Sequence, residues 1–389
     1  MTVCGPLAAQ QPVTRTQAVA AALARGARVA LGRADTAAAA GVARSARAFP
    51  NPTLVATYTT DAPQHHAVVD LPFDLPWLRS ARIGAAEAAR DAARYGFAFT
   101  RAAIRFDVET TYTRALAAAA HARLSRRTAQ DADSLLTMAR LRREVGDVSE
   151  LDVRLAAVNA GQLENTAVDD SLAAIDAVLS LQLAMGLPAA EPTIVLVDSL
   201  VPPPPADITP ALQGEALPVA AAAAGLRSEE RALALVHRSL FAPRFEVGVE
   251  AQDPSGPGRG LLPTFGIALP LPLFNRSGGE AAQVAAARDR ARAELELVRR
   301  ETAADLARAQ RELTSARARV RRDQDILASA DRVAAMSLQA YAEGAVALAN
   351  VLEAQRNARE ALGRYIDDLA TADGAAAAVR LLTTPADQP

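Results

Sequence analysis

Cysteine is all but missing: Cys4 is the only one in 389 residues. An intrachain disulfide and a cysteine-built metal cluster are therefore both excluded. A lipid anchor on Cys4 would want a small residue before it, where Val3 stands. Aromatic residues make up only 4% although half the chain is hydrophobic. Alanine fills much of the difference, which favours closely packed helices over a bulky core. No apolar run approaches the roughly 18 residues that a transmembrane helix needs. The net charge is −2, and arginines alternate with acids along helical stretches, so nothing points to a nucleic-acid partner. Catalytic signatures are missing too: there is no G-x-x-x-x-G-K-[ST], H-E-x-x-H or G-x-S-x-G. Gly256-Pro-Gly-Arg-Gly260 is glycine-rich but reads as a strand loop. His65-His66 is an exposed pair, where metal sites want three or four ligands. No enzyme, no cofactor and no resident metal is expected.

What is present is helix of unusual length. Glu280–Glu343 contains neither Gly nor Pro and would be about 95 Å long as one helix. Val284, Leu295 and Leu306 lie eleven apart, the spacing of a straight or right-handed seam. From Leu306 the interval drops to seven, through Leu313, Val320, Leu327, Ala334 and Tyr341, which favours a left-handed supercoil. Taken alone, this stretch is equally an ordinary coiled coil.

Taken in order, residues 1–13 read as a signal-peptide remnant or a disordered start, with Pro6 to Gln10 resembling the tail of a signal. Residues 14–48 read as one helix that stops at Phe49-Pro-Asn-Pro52. Two alternating strands follow, about 53–60 and 66–73. No proline occurs between Pro76 and Pro188, and helices are expected over about 78–145 and 149–185. In the second of these Leu151, Val158, Leu172 and Leu179 form one sevenfold seam. A proline-rich connector begins at 188, and a helical patch runs from about Val219 to Leu240. Strands are expected at about 244–252 and 264–271, helices at about 279–343 and 346–382, and a disordered tail at 383–389.

The order strand, strand, long helix, Gly break, helix thus occurs twice. Gly146, Val148, Val153, Ala156 and Asn159 recur as Gly344, Val346, Val351, Ala354 and Asn357, at one offset. Leu71-Pro72 and Leu269-Pro270 keep that offset, so the chain is an internal duplication: 14–187, a connector over 188–240, and 241–382. The fold class expected is mainly α with a small β part, built on a duplicated β-β-α-α unit. The strands suit a membrane barrel, with Phe245/Val247/Val249 and Phe265/Ile267/Leu269 facing lipid and Asp70, Glu246 and Glu250 facing a lumen. Four strands cannot close alone, so copies would have to combine. The other reading is a small soluble β-sandwich beside a helical bundle.

Phe49-Pro-Asn-Pro-Thr-Leu54, Leu269-Pro-Leu-Pro-Leu-Phe-Asn-Arg276 and the paired Gly breaks resemble the TolC-like outer-membrane channels of tripartite efflux pumps. The likeness spans about Thr16 to Leu382, and the Pro-Leu-Phe-Asn-Arg stretch is most similar to the heavy-metal-resistance (CzcC-like) branch. The resemblance implies a homotrimer with a 12-stranded barrel in outer-membrane lipid and an α-helical barrel across the periplasm. It implies an equatorial belt made by the 188–240 connector and the chain ends. It also implies a periplasmic adaptor docked at hairpin tips Gly146-Asp147 and Gly344-Ala345, and through the adaptor an inner-membrane pump of the resistance–nodulation–division (RND) type. By position, Tyr341 and Asp152 match the hydrogen-bonded pair that holds such entrances closed. Asn350 and Glu353 occupy the places of two acidic rings, and Val346 replaces a usual arginine. Three copies of Glu353 around a narrow mouth would favour cations. The competing function is a soluble periplasmic adaptor or coiled-coil scaffold.

Overall fold

The computed structural model describes residues 11–58, 60, 65–71, 74–204, 215–239, 244–251, 261–268 and 278–386. The elements in order are β1 (Gln11–Val13), α1 (Arg15–Arg25), α2 (Ala27–Arg47), β2 (Thr53–Tyr58), β3 (His65–Leu71), α3 (Pro76–Glu144), α4 (Glu150–Ala184) and β4 (Ile194–Leu196). They continue with α5 (Leu217–Ser239), β5 (Arg244–Ala251), β6 (Leu261–Ala268), α6 (Gly278–Ala342) and α7 (Leu348–Thr383). The chain is mainly helical, as its alanine content and long proline-free stretches require. It divides into two compact units. One gathers residues up to Leu31, Thr100–Ala216 and Thr302–Pro385; the other gathers Gly32–Phe99 and Leu217–Glu301.

The second unit holds a four-stranded antiparallel sheet in the order β2-β3-β5-β6. Its register puts Val69 opposite Val247, Phe245 opposite Ile267 and Val247 opposite Phe265. Side chains alternate across a strand, so these residues share one face with Leu54 and Tyr58. That face is open: Leu54, Tyr58, Phe265 and Ile267 are all more than 60% exposed. β6 starts three residues before the expected Thr264, because Leu261 to Pro263 pair with Ala251 to Val249. Pro263 reads as a boundary in sequence, but β6 is an edge strand and tolerates the missing donor. The expected strand residues Thr59, Phe73, Gln252 and Leu269 to Leu271 lie outside the described residues.

In the same unit α2 packs on α3 through Ala43, Ala46 and Ala86. Gly32 lies against the Phe97 ring, and a Cβ there would come within 2.4 Å of it.

In the first unit the helix expected over 14–48 is instead two. Gly26 adopts an extended ψ of 135° and ends α1. Gly186 approaches this break closely, its own Cβ position 3.4 Å from the Gly26 Cα. Within the start expected over 1–13, residues Gln11–Val13 form β1, and residues 1–10 lie outside the described residues. β1 pairs in parallel with β4, a strand the proline-rich connector did not announce. Tyr112 donates to the Val13 carbonyl at 2.9 Å, and the Arg15 guanidinium meets the buried Asp373 carboxylate at 2.6 Å. The Arg15 backbone N–H donates to Asp198. Burial, with Asp198 nearby, pushes the Tyr112 hydroxyl up to about 12. Ala216 bridges to Pro385, so connector and chain ends meet.

The α6 seam faces inward here. Ala309 and Leu313 pack on Ala375, Ala376 and Val379 of α7, and Ala316 and Val320 pack on Leu369 and Ala372. The α4 seam does the opposite. Leu151, Val158 and Leu172 are 57–65% exposed, whereas Ala156, Leu163 and Leu181 are buried. A sevenfold stripe marks a contact face but not which chain supplies the partner.

Candidate functional site

Both Gly breaks are helix ends of one type. Gly146 and Gly344 have φ of 79° and 78°, a left-handed conformation that favours glycine. Gly146 N–H donates to Arg143 and Asp147 N–H to Arg142, while Gly344 N–H donates to Tyr341 and Ala345 N–H to Ala340. This double bond pattern satisfies the last carbonyls of α3 and α6. The exposed Asp147 and Ala345 are thus held at the two hairpin tips.

The helix starts that follow differ. Ser149 caps α4, accepting from Asp152 N–H while the Asp152 carboxylate accepts from Ser149 N–H at 3.1 Å. The equivalent start of α7 has Ala347 as cap with no side-chain bond, and Asn350 stands where Asp152 does. Such a cap contributes about 1 kcal/mol. The duplication has therefore kept both turns but only one cap.

All four helices meet just above the tips. Leu135, Leu136 and Ala139 of α3, Ala156 of α4, Tyr341 of α6, and Leu348 and Val351 of α7 form one buried cluster, with Val346 and Val153 against it. Val346 is an apolar contact of this cluster. Arg142 supplies a guanidinium instead. It donates to the Tyr341 carbonyl at 2.6 Å, to Asp147 at 2.8 and 3.0 Å, and lies 4.8 Å from the Tyr341 ring centroid. One side chain thus ties the first tip to the end of α6.

Tyr341 is 2% exposed, and its hydroxyl has no hydrogen-bond partner among the described residues. Burial raises its pKa; Arg142 opposes this and Asp152 adds to it. Asp152 is therefore near, but within one chain its carboxylate is committed to Ser149 and makes no bond to Tyr341. Asn350 is exposed, and the exposed Glu353 pairs with Arg356 at 3.0 Å.

Sequence reading missed Arg142. It sits in the run Arg140-Leu-Arg-Arg143, which looks like any solvated helix face. Its position four before Gly146 was the available signal. Asp323 was missed as well. It occupies an inward place on the α6 seam, and its buried Oδ2 has no hydrogen-bond partner among the described residues. Burial and the neighbouring Asp368 raise its pKa, while Arg319 holds Asp368 at 2.7 Å.

In the sheet, Asp70 lies opposite Glu246 and His66 opposite Glu250 in register. Glu246 is half-buried beside Gly266; the side chains of Asp70 and Glu250 lie outside the described residues. Among the described residues no three His, Cys, Asp or Glu are grouped to hold a metal. Among the described residues no helix is long and apolar enough to cross a membrane.

No family model matches the chain. It is 28% identical over 333 residues to the cobalt-zinc-cadmium resistance protein CzcC of Cupriavidus metallidurans, covering 82% of this chain and 78% of that one. Among solved structures it superposes on the Campylobacter jejuni CmeC outer membrane channel with a TM-score of 0.80 at 13% identity, over 95% of this chain and 85% of that one. It matches the outer membrane protein VceC of Vibrio cholerae with a TM-score of 0.77 at 16% identity, over 95% and 96%. The chain has the TolC-like outer-membrane channel fold.

Proposed function

We propose that the chain is one subunit of a passive outer-membrane exit duct for a tripartite pump of the RND type. One observation carries the reading: a four-stranded sheet with an open apolar face, whose edge strands β2 and β6 have no further strand beside them among the described residues, is followed in the chain by helices of 69 and 65 residues. Unpaired edges are not tolerated in lipid. Three copies close the sheet into 12 strands, with Asp70, Glu246 and Glu250 lining the lumen, and their helices continue it through the periplasm. The exposed α4 stripe of Leu151, Val158 and Leu172 supports the same assembly, since a neighbouring copy would cover it. So does an apolar groove of about 900 Å³ that includes Ile175, Ile194 and Val197. Two equivalent hairpins and one sheet fit a duct better than an adaptor, the alternative function.

The tips are the periplasmic mouth and the adaptor's docking place, through Gly146, Asp147, Gly344 and Ala345. Tyr341, Asp152 and Arg142 hold the mouth closed, and Asn350 and Glu353 lie along its entry. The likeness to CzcC supports divalent metal cations as the exported cargo. Density-gradient fractionation and cross-linking test the duct: a trimer in the outer-membrane fraction is expected, and a chain confined to soluble periplasm refutes it. Deleting the gene should lower tolerance to zinc, cobalt or cadmium; sensitivity to drugs alone would reject the cargo.

A further inference from the structure

The offset that aligns the two glycine tips also aligns α3 with α6 and α4 with α7. Within the chain α3 lies antiparallel on α7. Arg380 donates to Glu109 at 2.7 Å, Thr113 donates to Asp373, and His121 meets Asp367 at 2.8 Å. The counterpart seam would be α6 on α4, and no hydrogen bond or ion pair joins those two helices among the described residues. Their faces stand open instead. Ile366 and Asp373 of α7 are 6% and 7% exposed, while their α4 counterparts Val168 and Ile175 are 56% and 43% exposed. Leu135 of α3 is 3% exposed, and its α6 counterpart Val333 is 53% exposed.

The two open faces also carry opposite charge. From Leu155 to Ala184, α4 holds Glu164, Asp169, Asp170 and Asp176 and no basic residue. Asp169 is exposed, and its carboxylate has no partner among the described residues. From Arg308 to Arg322, α6 holds six arginines against the single acid Glu312. The offset turns the pair His121 and Asp367 into Arg319 and Asp169. Arg319 donates its Nε–H to Asp368 at 2.7 Å and Nη1 to Ser315 at 2.9 Å, and it stays 37% exposed. A guanidinium has five N–H donors in a fork, so its remaining edge can take a second carboxylate. The register of α3 on α7, carried over, sets the basic stretch of α6 beside the acids of α4. It also sets Val333 beside Leu155, itself 42% exposed.

We infer that α6 of one copy lies antiparallel on α4 of a second copy, with Arg319 paired to Asp169 of the partner subunit. The inference rests on the trimeric-duct reading and gives its subunit boundary a register. The charge pattern also sets the geometry of the contact. Two α4 faces would bring acid against acid, and two α6 faces arginine against arginine, so a two-fold dimer through either is disfavoured. The contact is head-to-tail, which closes into a ring. The seam inside a chain uses a histidine and the seam between chains an arginine. Arginine keeps its charge where histidine loses it, so the subunit boundary holds its pair on both sides of neutral pH.

Cross-linking tests the register directly. The full chain carrying Arg319→Cys and Asp169→Cys is treated with a short bis-maleimide, with the parent chain, whose only thiol is Cys4, as blank. Covalent dimers and trimers are expected on a denaturing gel. The counterpart pair, His121→Cys with Asp367→Cys, should link within one chain and leave the monomer mass unchanged. Sedimentation of untreated protein in detergent measures assembly independently. A trimer that the reagent does not link between copies overturns the register and leaves the duct intact; a chain that forms no trimer overturns both. Charge exchange supplies a second reading. An exposed pair is worth a factor of roughly 2–5, and a trimer has three, so Asp169→Arg should weaken assembly roughly 10- to 100-fold. Arg319→Asp alone also loses Asp368, so the double variant is compared with that single one. The double variant should assemble better; equal or weaker assembly overturns the pairing.

Discussion

Replacing Arg142 with alanine tests the closed mouth at one point. Three contacts are lost, and their sizes differ. The Tyr341 carbonyl still accepts from Gly344 N–H at 2.9 Å, so no orphan acceptor remains, and the charge-assisted bond itself is worth about 1.5 kcal/mol. The guanidinium is 18% exposed where it stacks on the Tyr341 ring, a contact of about 1 kcal/mol. Asp147 is 59% exposed, so its ion pair is screened and adds no more than about 0.5 kcal/mol. The tip should open more easily by about 2–3 kcal/mol, roughly a 30- to 150-fold change in the local equilibrium. Hydrogen exchange of the backbone amides from Gly344 to Leu348 reads this directly, and single-channel conductance in bilayers should rise. Arg142→Lys keeps the charge but loses the fork and the stack, so it should recover less than half the effect. Wild-type exchange at the second tip, in a variant that is still folded by circular dichroism, would refute the latch.

Three further outcomes follow from the geometry. Gly32→Ala should lower the melting temperature although alanine is the better helix former, because its Cβ meets Phe97 at 2.4 Å; Gly41→Ala, with nothing within 4 Å, should raise stability by about 0.5–1 kcal/mol. Restoring the missing cap with Ala347→Ser and Asn350→Asp should stabilise the second tip by about 1 kcal/mol, read as slower exchange there and lower conductance. The Asp323 carboxyl is held above its usual 3.8 by burial and Asp368, with Arg322 and Arg364 opposing. The native state thus binds that proton more tightly than the unfolded chain, a contribution present at low pH and lost as pH rises through the raised value. Asp323→Asn should remove that pH dependence from the urea midpoint and raise the midpoint at neutral pH; a pH profile parallel to wild type would refute the raised Asp323 value.

Much of the architecture was readable because it repeats. Helices without proline, strands with a period of two and two Gly breaks at one offset need only local physics. The edges were harder. Gly26 looks like Gly84 or Gly96 in sequence, yet it breaks a helix because Gly186 packs on it from over a hundred residues away. β1 and β4 are three residues each and become strands only by pairing with one another. Arg142 gave no signal because its meaning depends on a ring in another helix.

The sequence by itself determined the duplicated unit, the helix lengths and the two left-handed glycine turns, since periodicity, proline and positive φ act within a few residues. Only the tertiary structure decided which seams close inside the chain: α6 finds α7, while the α4 stripe finds nothing and stays exposed. It also decided that Arg142, and not position 346, brings the guanidinium to Tyr341. Both depend on distances between helix faces that no local spacing encodes.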